Sequence, residues 1–354
     1  MSASVKDVAA LAGVSVGTVS NVMNRPEKVS AAVSARVQAA IDQLGFVRND
    51  AARQLRAGHS STIGLVVLDV RNPFFADVAR GAEDRAAVGG FSVILGNSDE
   101  KMDRESTYLD LFEVQRVHGV LISPLGDITA RLRQLRDRGI PPVLVDRTSA
   151  DASFSSVSVD DIDGGRLAVE HLVSQGRRRI AFIGGPMQIQ QVADRLEGAR
   201  MAIAAHPEAA LEVITIDALS VIEGRTAGAG LVARAPLDRP DAVFAANDLV
   251  AMGVLQALMM QGANVRVPDQ IALIGYDDID FASAAVVPLS SIRQPSALIG
   301  QTAVAILLEE AADPGLPPRQ VVFQPELVVR ESTMTTQIAG ESPPPTAPES
   351  GVLN

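Results

Sequence analysis

No cysteine occurs among the 354 residues, which excludes disulfides, thiolate metal sites and cysteine nucleophiles. Tryptophan is also absent, and aromatic residues make up only 3% of the chain. A composition led instead by Ala, Val, Leu and Gly suits repeated β-α units whose strands are buried on both faces. No run of 18 apolar residues exists, so no membrane-spanning helix is expected. The first residues are polar and lack a charged-then-apolar leader, which predicts a cytoplasmic protein. The four histidines, His59, His118, His171 and His206, follow neither a metal-ligand nor a triad spacing. Neither G-x-G-x-x-G after a strand nor G-x-x-x-x-G-K-[ST] is found, so a nucleotide-dependent enzyme lacks its phosphate loop. A non-enzyme without metal or cofactor is predicted. An α/β sugar- or nucleotide-utilising enzyme with a helical arm remains a weaker alternative, since fold does not determine function.

The net charge of -11 argues at first against nucleic acid, but its distribution reverses the argument. Residues 1–60 hold seven Lys/Arg against four Asp/Glu, a net of +3, whereas the other 294 residues hold 24 against 38, a net of -14. A basic head on an acidic body concentrates phosphate attraction at one end and keeps the body off DNA.

Within that head, Val5, Val8, Ala9 and Ala12 recur at i, i+3, i+4 and i+7, the stripe of a helix with one buried face. Gly13 breaks the helix, and Ser15 is placed to cap a second one that buries Val19, Val22 and Met23. Two such helices joined by a short Gly-containing turn form a helix-turn-helix, whose second helix enters the major groove. The same stretch reads G-x-S-x-G at Gly13 to Gly17, the pattern of a hydrolase nucleophile elbow. An elbow needs a buried strand before the serine, and an amphipathic helix precedes this one. Ser30 is placed to cap a third helix, with Val33, Val37, Ile41 and Leu44 closing a small core and Gly45 ending it. The stretch from Phe46 to Gly58 has helix formers but too few turns to stand alone in water, so it should order on a partner.

These motifs resemble the headpiece and hinge of the lac repressor (LacI) family of bacterial transcription regulators, and the resemblance extends over almost the entire chain. It implies a repressor that binds double-stranded, near-palindromic operator DNA as a homodimer and answers to a small-molecule effector. It places base readers at Val16, Gly17 and Asn21 and phosphate contacts at Thr18, Ser20, Asn24 and Ser30, with Ser15 at the start of the reading helix. Hinge residues Asn49, Gln54 and Leu55 complete the DNA set, with Leu55 wedged into a base step to kink the duplex. Many relatives carry Arg where Asn21 stands; Asn can pair bidentately with adenine but cannot make the guanine fork. The headpiece is expected over 1–48, the hinge over 49–60 and an effector core over 61–330.

From Thr62 onward, short apolar runs alternate with helical stretches: Ile63 to Val70, Phe91 to Leu95, Gly119 to Ser123, Val143 to Val145, Ile180 to Ile183, Ile214 to Ile216, Ala242 to Ala246 and Ile271 to Tyr276. Such alternation predicts an α/β core with parallel sheets, and the family resemblance implies two lobes between which the chain crosses near Asp160, Ile292 and Val321. Ligands of such sheets sit beyond the carboxyl ends of the strands, where this chain places Asn72, Phe74, Phe75, Asp146, Arg147, Asn247 and Asp277. Aromatic rings can cover the C–H face of a sugar while carboxylates and amides bond its hydroxyls. The set resembles the site of periplasmic ribose-binding proteins, which adds Arg195 and Gln294 and implies a pentose-like effector. A nucleoside, a purine or another metabolite is the alternative. Each residue also has a structural reading: Asn and Asp can cap helices, the Phe pair can be core, and Asp146 and Arg147 can pair with each other. After Arg330 the chain turns rich in Pro, Ser, Thr and Gly, and a disordered tail over 331–354 is expected. No leucine heptads follow, which predicts a dimer.

Overall fold

The computed structural model describes residues 3–46, 60–149, 152–260, 262–263 and 265–334. Asn49, Gln54 and Leu55, and with them the expected hinge up to residue 59, lie outside the described residues, as do residues 335–354 and the side chain of Asn24. The chain divides into two compact units, residues 1–60 and 61–354.

Among its described residues the first unit has three helices, α1 (Val5–Ala12), α2 (Val16–Asn24) and α3 (Ala31–Leu44), and a 3-10 turn at Pro26–Lys28. Ser4 and Asp7 form a reciprocal capping box at the start of α1: the Asp7 carboxylate accepts from the Ser4 amide at 2.8 Å. Gly13 closes the helix at φ 63°, a left-handed turn that glycine adopts without a Cβ clash. Ser15 then caps α2, its Oγ accepting from Thr18 N at 3.0 Å. Val8, Ala9, Ala12, Val19, Val37 and Ala40 are buried together, with Val22, Met23, Val33, Ile41 and Leu44 packed around them. Ser30 occupies the cap position of α3, but its side chain makes no capping bond. The expected cap is backbone geometry only.

The second unit contains two six-stranded sheets. Strands β1 (Thr62–Val67), β2 (Ser92–Asn97), β3 (Gly119–Ile122), β4 (Pro142–Val145), β5 (Ser155–Val159) and β11 (Gln320–Phe323) form one, in the order β11-β5-β4-β3-β1-β2. Strands β6 (Arg179–Gly184), β7 (Ala210–Thr215), β8 (Ala242–Ala245), β9 (Ala272–Asp277), β10 (Ser290–Arg293) and β12 (Glu326–Val328) form the other, in the order β12-β10-β9-β8-β6-β7. All pairings are parallel except the short β10-β12 pair. Helices α4 (Pro73–Val88), α5 (Met102–Val114), α6 (Thr129–Asp137) and α12 (Ser296–Ala312) belong to the first lobe. Helices α7 (Asp161–Ser174), α8 (Gln190–Ala205), α9 (Val221–Ala233), α10 (Asp248–Met259) and the one-turn α11 (Asp280–Ser283) belong to the second. Strands β3, β4, β5, β8 and β9 are buried throughout, as parallel strands covered on both faces must be.

The fold departs from the sequence reading in three places. Ile292 stays in β10 and Val321 in β11, so the second and third crossings fall later, at Gln294-Pro295 and Gln324-Pro325. Proline has no N–H for the ladder, and each one ends its strand there. The Ser-rich stretches Ser155–Val159 and Ser290–Arg293, not recognised as strands, are central to their sheets. Most of their hydroxyls bond distant partners: Ser291 Oγ donates to Asp248 at 2.7 Å, and Ser290 Oγ bonds Thr333 Oγ1 at 2.7 Å. Finally, residues 331–334 are ordered rather than part of a tail. Ser332 and Thr333 are fully buried; Ser332 N donates to Pro288 O, Leu273 N to Ser332 O, and Thr333 Oγ1 meets His171 Nε2 at 2.7 Å.

Candidate nucleic-acid interface and effector cleft

On the first unit, the packing of α2 sorts its residues into two faces. Val19 is fully buried, while Ser15, Val16, Gly17 and Asn21 are exposed and Thr18 and Ser20 are half-buried. Ser15 Oγ lies 2.9 Å from Thr18 Oγ1, so the hydroxyls at the start of the helix are oriented by each other as well as by the cap. Ser30 is exposed with its hydroxyl uncommitted to capping. A helix held by its apolar face, with small polar and apolar groups outward, is the part a major groove accepts.

On the second unit, the carboxyl ends of the strands converge on a cleft between the lobes. Leu68, Asn72, Phe74, Phe75, Asp146 and Asp277 line it, with Ile189, Gln191, Val192, Arg195, Leu219 and Asn247. Its free volume is about 20 Å³, room for about one water molecule, so a larger ligand needs the two lobes to part. Asn72 does two jobs: its Oδ1 caps α4 by accepting from Phe74 N at 3.1 Å, and its Nδ2 donates across the cleft to Asp277 at 2.7 Å. Asn247 repeats the first of these, with Oδ1 accepting from Val250 N at 2.9 Å. In both residues the cap uses only the amide oxygen. Phe74 and Phe75 meet edge to face at 5.0 Å and are both buried.

Asp146 and Asp277 end β4 and β9, which hold the same place in their respective sheets. Both adopt positive φ, 58° and 101°, a strained backbone that turns each carboxylate inward. Asp146 Oδ2 accepts from Gln191 Nε2 at 2.9 Å, a second bond from lobe to lobe. Asp277 is held by Gln294, which donates from outside the lining at 2.8 Å. Beneath them lies Arg195, almost wholly buried, donating to Asp161 at 2.7 Å and to Ala246 O at 2.7 Å. Its guanidinium lies 3.6 Å from the centroid of the Tyr276 ring. Gly165 on α7 lets α8 approach: a Cβ there would fall 2.0 Å from Arg195 O. That contact sets the depth of Arg195.

Burial pushes the Asp146 carboxyl well up, and the charge of Asp161 pushes it further. Burial also raises Asp277, with Arg195 and the amides of Asn72 and Gln294 opposing. For Arg195 burial works against the charge, yet Asp161, Tyr276 and Asp277 hold its pKa above the ordinary value. Three acidic side chains, Asp146, Asp161 and Asp277, thus lie around one buried guanidinium. Four buried polar atoms near it have no partner among the described residues: Asp146 Oδ1, Gln191 Oε1, Gln294 Oε1 and Asn247 Nδ2. Unpaired polar atoms in a buried site are rare, and each calls for a partner, a water or a ligand atom.

Of the nine residues expected at the effector, seven line the cleft. Gln294 acts through Asp277, and Arg147 donates to Pro124 O and, at 2.6 Å, to Gly126 O, bracing the loop after β3. An arginine next to free backbone carbonyls satisfies them rather than reaching inward. Asp161, Gln191 and Tyr276 were missed. Only their order along the chain was visible, and a Gln one turn before Arg195 on an amphipathic helix has no signal of its own.

The comparisons with known proteins agree with both halves. The chain matches the family described as bacterial regulatory proteins, lacI family, over residues 4–49, and a periplasmic binding protein-like domain over residues 169–333. The ribose operon repressor of Escherichia coli is 35% identical over 340 residues, 93% of this chain and 99% of that protein. The HTH-type transcriptional repressor PurR of Photobacterium profundum is 34% identical over 337 residues, 93% of this chain and 98% of that one. A solved lac repressor dimer bound to operator and the anti-inducer ONPF shares 28% identity over 95% of this chain and all of that one, with a TM-score of 0.80.

Proposed function

This chain belongs to the lacI family of bacterial regulatory proteins, and from that premise we propose that a small sugar, pentose-like in size, sets its affinity for a palindromic operator that it binds as a dimer. It is a DNA-binding transcriptional repressor and not an enzyme. Among the described residues no helix is long and apolar enough to cross a membrane. Its place of action is the cytoplasm, where a bacterial operator lies, and no cofactor other than the effector is needed.

The observation that carries the sugar reading is the set of unpaired atoms beside the Phe74 and Phe75 rings. A hydroxyl can donate to Asp146 or Gln191 and accept from Asn247 at once, which one polyol ring can do at several positions. Closure works on DNA only if the effector binds the two lobe arrangements unequally, and the Asn72–Asp277 and Gln191–Asp146 bonds are the contacts it would replace or reinforce. A purine or nucleoside effector is the second reading, favoured by the 34% identity to a PurR repressor over nearly the whole chain.

Thermal unfolding of the full chain against pentoses, hexoses, nucleosides and purines tests both. A cognate ligand near a hundredfold over its Kd should stabilise by about 2.7 kcal/mol. Stabilisation by a sugar that disappears in Asp277→Ala supports the first reading. Stabilisation by a base alone supports the second, and a flat panel refutes both.

A further inference from the structure

At the end of β9 the chain turns through two consecutive non-glycine residues of positive φ, Asp277 at 101° and Asp278 at 54°. Both conformations are strained and persist only where the surroundings hold them. Asp277 sends its carboxylate into the cleft, where Asn72 of the other lobe donates to it at 2.7 Å. The Asp278 side chain, 5% exposed, meets two arginines instead: Arg293 Nε donates to Oδ2 at 2.8 Å, and Arg330 Nη1 lies 2.6 Å from Oδ1. We infer that Asp278 is a positioning residue for the effector cleft: by gripping Arg293 and Arg330 it fixes the elbow that aims Asp277 at Asn72, and ties that aim to the second and third crossings between the lobes. This rests on the reading of the cleft as the effector site.

The places of the two arginines carry the inference. Arg293 ends β10, one residue before the crossing at Gln294-Pro295. Gln294 donates to Asp277 at 2.8 Å, so the adjacent residues Arg293 and Gln294 hold the adjacent residues Asp278 and Asp277. Arg330 follows β12, the strand by which the chain returns after Gln324-Pro325. Arg293 Nη1 also lies 3.7 Å from Glu326, the first residue of that strand. β10 pairs with β9 on one side and β12 on the other, so a single carboxylate joins the strand that carries Asp277 to both strands next to the crossings.

The elbow is also pinned along its backbone. Asp278 N donates to Ser291 Oγ at 3.0 Å, and Ile279 N donates to Asp248 Oδ2 at 2.9 Å. These bonds fix the peptide to β10 and α10; only the Asp278 carboxylate reaches past β10 to the returning segment. Arg330 keeps 17% of its side chain exposed, so that pair is not a screened surface contact. Rotation of one lobe against the other moves the crossings, and with them the arginines, Asp278 and the carboxylate next to it.

A double-mutant cycle on the full chain without ligand tests this. Asn72→Ser keeps an acceptor for the Phe74 amide but loses the donor to Asp277, and Asp277→Gly removes the carboxylate at a φ that glycine adopts freely. Their Tm losses should be non-additive by about 2 °C or more, because both break one shared bond. In an Asp278→Gly background the losses should become additive. In Asp278→Asn, which tolerates positive φ and keeps one acceptor oxygen, part of the non-additivity should survive. Arg293→Gln removes one arm at a half-exposed side chain and should reduce it, which decides the matter if Asp278→Gly does not fold. A purely structural Asp278 would lower the Tm and leave the non-additivity intact, and that result overturns the inference. Additive losses in the wild-type background overturn it too, since no aim is then being held. No ligand enters the cycle, so failure of the effector reading shows separately, as a flat ligand panel.

Discussion

Arg195 is the side chain whose removal has the best-defined consequence. In Arg195→Met the chain keeps a stem of similar length but loses the 2.7 Å bond to Asp161, the 2.7 Å bond to Ala246 O and the cation over Tyr276. Asp161 is then a buried carboxylate without a cation, and losing one partner of a buried pair costs about 3–5 kcal/mol. We take about 4 kcal/mol, since the carbonyl and ring contributions overlap with the ion pair rather than adding to it. For a body of this size about 2–4 °C accompany each kcal/mol, so the Tm should fall by about 8–16 °C. The chain has no tryptophan and two tyrosines, so far-UV circular dichroism rather than intrinsic fluorescence should follow the transition. The sign with pH is determined. An uncompensated carboxyl has its folded pKa raised, the folded state binds the extra proton, and the deficit of the variant should shrink as pH falls toward 4. Adding Asp161→Asn should restore more than half of the loss and remove that pH dependence. A single variant costing under about 1 kcal/mol, or a double variant worse than the single, would refute the claim that this pair holds the floor of the cleft.

Three further outcomes are expected. Gly198→Ala should destabilise the body by more than about 2 kcal/mol in urea unfolding, because its Cβ would fall 1.9 Å from Ile162 O, whereas Gly230→Ala, with nothing within 4 Å, should stabilise by about 0.5–1 kcal/mol. Glu100 is raised from 4.5 to about 7, by burial first and then by the charge of Asp69, against the Leu219 amide that favours its ionised form. Its raised pKa means that stability should fall as pH climbs from 4.5 to 7, and urea midpoints of Glu100→Gln should be flatter over that window. Ser15→Ala removes the acceptor for Thr18 N and should cost the helical unit about 1 kcal/mol, read as a lower first transition with the second unchanged.

The helical unit was legible in detail because its determinants are local. Stripes at i, i+3 and i+4, a left-handed glycine and a capping serine each act within one or two turns, and Gly13, Ser15 and Gly45 sit where those rules put them. The capping box at Ser4 and Asp7 obeys the same rules and was readable from its spacing. Strands with apolar runs were legible for the same reason. β5 and β10 were not, because a serine on a buried strand looks polar until its partner is known, and those partners, Glu310, Gln320, Asp248 and Thr333, lie tens to hundreds of residues away. The buried pair Ser332 and Thr333 escaped in the same way. Composition suggested a tail, but Ser332 is locked by backbone bonds to Leu273 and Pro288.

In the cleft, chain order and residue type already imply which loop tips carry acids, amides and rings, since right-handed β-α crossovers bring the carboxyl ends of parallel strands to one edge. Which of those groups face each other is a different matter. Asn72 and Asp277 are separated by 205 residues and meet at 2.7 Å only because two sheets, each closed by its own crossovers, set their edges opposite one another. The same packing turned Arg147 to its own loop, placed Gln294 behind Asp277 and brought Gln191 and Asp161 into a site that no local pattern announced. Helix caps and strand periods are short-range and can be read along the chain. The direction of a buried polar side chain is set by whichever partner satisfies it most completely, and that partner is known only once the fold has brought both there.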